Sequence, residues 1–137
     1  ATVVAPIFMC YYIGMELRIS VKIRDNRHEP VLGNGAVWLL EQVERTGSIR
    51  AAALALGMAY SKAWRIVKIL ERALGEPVMT RRKGGNEHGG AVLTPRGQAI
   101  VAGFAAMRDD ITAYAVRTHG RAAARLVAPA RSRHARR

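Results

Sequence analysis

The run IRAAALALGMAYSKAWRIVK, twenty residues from Ile49 to Lys68, constrains this chain more than any other stretch. Two short helices can cross closely through a tight turn only if particular positions are small, turn-tolerant or apolar. The fifth residue, Ala53, is small where the two helices would touch. The ninth, Gly57, stands where the chain must reverse, a place that commonly needs positive φ. Positions four, eight, ten, fifteen and eighteen are Ala52, Leu56, Met58, Ala63 and Ile66, apolar as buried positions require. The pattern predicts a helix-turn-helix. An αα-hairpin with no DNA role is the alternative.

The flanks extend this unit in both directions. From Leu17 the residues alternate, Leu17, Ile19, Val21 and Ile23 against Arg18, Ser20, Lys22 and Arg24, which predicts a half-buried strand. DNRHEP reads as a turn. A helix opens near Asn34, with Val37, Leu40 and Val43 on one stripe, broadened by Trp38 and Leu39, and Gly47 ends it. Ser48 caps the next helix, which Gly57 closes. The third helix runs from about Ser61 to Leu74, with Gly75 and Pro77 preventing continuation. PVMTRR and AVLTP are β-prone and flank the glycine-rich GGNEHGG, so they predict a hairpin whose edge is available to the first strand. Thr94-Pro95 opens a long last helix, a capping threonine before proline at the first helical position. The fold class expected is mainly α with a small β-sheet: a winged helix-turn-helix with a long C-terminal helix. Residues 1–14 are expected to lie outside the fold, 15–118 to form the domain, and 119–137 to be a basic, disordered tail with AAARLVA as a frayed helical piece.

Charge narrows the partner. The net charge is +12, and all ten acidic residues lie at or before Asp110. Six arginines follow Thr118; without them the rest still carries +6, so the body is basic on its own account. Such a balance points to an anionic partner, nucleic acid first with a membrane surface as the competing anion; double-stranded DNA is the partner expected. The uncharged start, ATVVAPIFMCYYIG, is too short to span a bilayer and has no basic face, so no membrane partner is expected. The single cysteine, Cys10, excludes an internal disulfide framework and fits a reducing, cytoplasmic compartment. The four histidines have no ligand spacing. No metal, cofactor or small-molecule ligand is expected. No nucleophile–base set or carboxylate pair appears, so an enzyme is not expected either.

The second helix of the motif would enter the major groove with its first turns toward base edges. Tyr60, Ser61, Lys62, Arg65 and Lys68 occupy those slots. Arg65 and Lys68, three apart, share a face and suit guanine acceptors or phosphate. Ser61 serves equally as cap or contact, and Tyr60 either stacks on sugar or covers the turn. Trp64 suits core or wing support better than base reading. Ser48, at a helix start, can cap or hold a phosphate. The glycine loop has no GK[ST] and leads into a strand, so it is no nucleotide-phosphate loop. Placed after a recognition helix, it reads as a wing whose Arg81, Arg82 and Lys83 meet the DNA backbone.

The stretch that begins at Gly47, GSIRAAALALGMAYSKAWRIVKILERALGEPVMTRRKGG with HGGAVLTPRG, resembles the N-terminal winged helix-turn-helix of ModE-type molybdate-responsive regulators, and more loosely the LysR-type DNA-binding domain. The similarity runs from about Leu17 to Tyr114, carried chiefly by YSKAW, the glycine-rich wing and TPRG. It implies a homodimer on a palindromic operator, with the long last helix in the interface. Ile100, Phe104, Met107 and Ile111 match that stripe and would serve as core equally well. Regulators of this type bind molybdate in further C-terminal domains; only nineteen residues follow Thr118, so those domains are not expected here. The expected function is a sequence-specific transcription regulator, with a non-specific nucleoid or architectural DNA binder as the alternative.

Overall fold

The computed structural model describes residues 17–82 and 90–129. The expectations for residues 1–14, for the tip of the wing and for the last eight residues of the basic tail fall outside that range. The described residues divide between a compact unit, Ser20–Arg108, and a second unit to which residues 17–19 and 109–129 belong. The first contains β1 (Lys22–Arg24), β2 (Pro30–Gly33), α1 (Asn34–Thr46), α2 (Ile49–Ala55), α3 (Tyr60–Leu74), β3 (Met79–Arg81) and β4 (Ala91–Leu93), and the start of α4 (Pro95–Leu126). This is a winged helix-turn-helix with a long C-terminal helix.

The core is aliphatic. Val37, Leu39, Leu40 and Val43 of α1, Val67 and Leu70 of α3, and Val78 are fully buried, each worth roughly 1.5–3 kcal/mol relative to exposure. Ala52, Ala53 and Ala63 lie among them with almost no exposed surface. These are the small positions that the helix crossing needs. Leu56, Met58 and Ile66 are half-buried against the same cluster. Trp38 departs from expectation: it is 48% exposed, on the outer edge of α1, while its neighbour Leu39 is wholly inside. A stripe of alternate threes and fours has room for Leu39 but not for both.

Helix ends follow the local chemistry. The Ser48 hydroxyl accepts the Ala51 N–H at 3.2 Å and caps α2. Gly47 and Gly75 close α1 and α3 in the left-handed conformation, at φ 69° and 71°. Gly57 turns the chain between α2 and α3 at φ 63°. Thr94 caps α4, accepting the Gly97 N–H at 3.1 Å while its own hydroxyl donates to the Pro77 carbonyl at 2.9 Å.

Two sheet expectations are corrected. The first strand is short, and its partner is Pro30–Gly33 rather than the wing, giving two separate two-stranded sheets. Between β1 and β2 the Asp25 carboxylate accepts the N–H groups of Arg27 and Glu29, each at 2.9 Å, and His28 adopts φ 64°. That turn folds the chain back on itself before it can reach the wing. Burial does alternate from Leu17 to Lys22, as the pattern required, but Ile23 is exposed and the ladder covers only Lys22–Arg24. The last helix also differs: it runs unbroken through Gly120 to Leu126, past the boundary expected at Thr118. Alanines 122 to 124 are good helix formers and offset the glycine.

Candidate nucleic-acid interface

The candidate interface is the outer face of α3 with the wing beside it. Helix α3 turns Ala63, Val67 and Leu70 inward, at spacings of four and three. Ser61, Arg65, Lys68 and Arg72 recur at four, three and four on the opposite side and are exposed, Arg72 included. These four line one open groove, with Tyr60, Trp64 and Ile69 on its walls. Lys62 is exposed but stands outside that groove. The helix begins at Tyr60 with Ala59 as its cap residue and no side-chain cap bond. Ser61 is therefore not the cap. Ser61 occupies the second helical position and is exposed.

The wing is anchored to the turn between α1 and α2. The Ala91 N–H donates to the Gly47 carbonyl at 2.7 Å, and the Arg82 N–H to the Gly90 carbonyl at 2.7 Å. A Cβ at Gly90 would lie 3.3 Å from the Gly47 oxygen, so the close approach suits glycine. Strands β3 and β4 pair antiparallel, Met79 opposite Leu93 and Arg81 opposite Ala91. At the start of this region the Glu71 carboxylate accepts the Val78 N–H at 2.9 Å, tying the end of α3 to the strand that follows.

The basic residues of the wing are placed differently from one another. The Arg81 guanidinium lies over the Trp64 ring, 4.1 Å from its centroid. Arg82 borders a separate hollow with Glu44 and Gln98. Lys83 lies outside the described residues. Tyr60 meets Trp64 edge to face at 6.2 Å, and the Arg50 guanidinium stands 5.0 Å from the Tyr60 centroid. Ser48 caps α2, and its side chain is half-buried. On α4, Ile100 and Met107 are half-buried, Phe104 is only 3% exposed and Ile111 is 40% exposed.

Two cations escaped the sequence reading. Arg72 continues the Arg65–Lys68 stripe by one turn and was open to discovery from spacing alone. Arg50 had no local signal, because its aromatic partner is ten residues away along the chain. Among the described residues no group of three or more His, Cys, Asp or Glu could hold a metal, and no helix is long and apolar enough to cross a membrane.

Residues 36–98, spanning α1 through the first turn of α4, match the family of bacterial regulatory helix-turn-helix proteins of the lysR type. This region is similar to the regulatory helix-turn-helix of the lysR family. It is also ModE-like. Over 80 residues the chain is 43% identical to a molybdenum-pterin-binding protein, MopB, of Rhodobacter capsulatus, covering 58% of this chain and 30% of that protein. Similarity to MopA of the same organism is 35% over 83 residues, covering 61% and 31%. The molybdenum transport protein ModE of Azotobacter vinelandii is 37% identical over 79 residues, covering 58% and 29%. The aligned part of the chain thus spans under a third of the length of each of these relatives.

Proposed function

We propose that the chain acts as a sequence-specific transcription regulator that binds a two-fold operator as a homodimer. The observation that carries this reading is the groove on α3, where Ser61, Arg65, Lys68 and Arg72 converge on the exposed side of a helix within the region similar to the lysR-type family. In this arrangement Arg65 reads base edges in the major groove, where a guanidinium can engage both acceptors of guanine. Lys68 and Arg72, further along the helix, meet phosphate. Ser61, Tyr60 and Lys62 contact the backbone near the helix start, and Ser48 does so from the start of α2. Arg82 and Lys83 of the wing follow the phosphate ridge. A partner molecule would pack along α4, where Ile111 and Tyr114 are among the exposed apolar residues. The names of the relatives support assigning the regulated process to molybdenum handling.

Selection of bound sequences from a random duplex library at near-physiological salt tests the whole reading. The expected result is a palindromic consensus with half-sites about 34 Å apart. Recovery of no consensus, with tight binding to every duplex, would instead support a general architectural binder. Two substitutions divide the labour further. Arg65→Ala is expected to reduce operator preference by about 1–3 kcal/mol, whereas Arg82→Ala weakens operator and random duplex alike and lowers the salt slope by about one. Equal losses of specificity from both would count against this division.

A further inference from the structure

Four side chains from three elements form one continuous stack. Arg50 of α2 lies over Tyr60, Tyr60 meets Trp64 edge to face, and Arg81 of β3 lies over Trp64. Each contact falls inside the range where it is attractive: within about 6 Å for a cation over a ring, and about 4.5–7 Å between ring centroids. The Arg81–Trp64 distance, 4.1 Å, is that of a guanidinium lying close over an indole, the best of the aromatic partners. Tyr60 and Trp64 also form walls of the groove that holds Arg65 and Lys68. The stack therefore joins the wing strand to the groove itself.

Resting on the regulator reading, we infer that Trp64 and Arg81 are positioning residues for the operator contact. Backbone hydrogen bonds hold the wing to the Gly47 turn. The stack adds a sideways tie between β3 and the first turns of α3. It sets the distance between wing and recognition helix before DNA arrives, so the two reach groove and phosphate ridge together. The inference separates Arg81 from Arg82: Arg81 acts through the indole, and its charge at a phosphate is secondary.

A double-variant cycle on the full chain tests this, using Trp64→Phe, Arg81→Lys and both together. Lysine keeps the charge but loses the flat stacking surface; phenylalanine keeps a ring, so the core survives. Arg81→Lys is expected to weaken operator binding by about threefold to thirtyfold, the span of ordinary cation–π contacts, with the salt slope unchanged. In the Trp64→Phe background the same change is expected to have a smaller effect. A second readout needs no DNA: in a Trp38→Phe chain, Trp64 fluorescence should change on Arg81→Lys. Operator binding unaltered by Arg81→Lys, losses that simply multiply, or unaltered Trp64 emission would each overturn the inference and leave the regulator reading standing. A wild-type chain with no preference for any duplex would overturn both.

Discussion

At Gly97 a methyl group has no room. A Cβ there would stand 2.2 Å from the Val78 carbonyl oxygen and 3.1 Å from its carbonyl carbon. That backbone is held on both sides: the oxygen accepts the Thr94 N–H at 2.9 Å, and the Val78 N–H donates to Glu71 at 2.9 Å. The clash is therefore with fixed backbone, not with the end of a flexible side chain. Gly97→Ala is expected to destabilise the fold by about 2–3 kcal/mol, as overpacking does when the neighbour cannot yield. Gly103 is the control. It lies on the same helix with nothing within 4 Å of a built Cβ, and it is exposed. Gly103→Ala is expected to stabilise by up to about 1 kcal/mol through helix propensity alone. Urea unfolding of both variants checks the pair, and similar midpoints would show that the Val78 carbonyl moves aside. Sequence could not separate these two glycines, because the close approach at Gly97 depends on Val78, nineteen residues earlier and just before β3.

The helix-turn-helix itself was the most legible element, and its two serines show where legibility stopped. Ser48 is followed by a clean helical run, and its hydroxyl does accept the Ala51 N–H. Ser61 carries the same chemistry, but the helix starts one residue before it, at Tyr60, so the hydroxyl has no capping site to fill. The prediction that follows is a dissociation of stability from binding. Ser48→Ala is expected to cost about 1 kcal/mol of stability; Ser61→Ala is expected to leave the thermal midpoint nearly unchanged while weakening duplex binding. Calorimetry with fluorescence anisotropy checks both, and a midpoint drop for Ser61→Ala as large as that for Ser48→Ala would refute the assignment. The wing strands were readable from their β-prone residues, and α4 from its Thr-Pro start. Strand β2 was not: PVLG is four residues long, begins with proline and runs directly into α1, so no period could reveal it. The aromatic stack was likewise invisible, since its members lie in three elements whose approach only the fold defines.

For the whole molecule, the open issue is how a net charge of +12 divides between attraction and discrimination. Attraction to any duplex grows with the number of phosphates neutralised, whereas discrimination needs groups held at fixed positions. The groove cation Arg65 is carried on a packed helix and can discriminate. Arg131, Arg133, Arg136 and Arg137 belong to a stretch of sequence without an apolar stripe, and their expected contribution is attraction alone. Removing residues 130–137 is thus expected to weaken operator and random duplex by the same factor. The slope of log affinity against log salt should fall by about 0.9 for each phosphate that is no longer neutralised, with one arginine answering for one phosphate at most. The ratio of the two affinities should stay where it was. Anisotropy titrations of both duplexes at several salt concentrations measure all three quantities together. If the shortened chain lost most of its affinity and the parent had shown no operator preference to preserve, charge at the chain end would be the binding device, and the groove on α3 would be an ordinary basic surface.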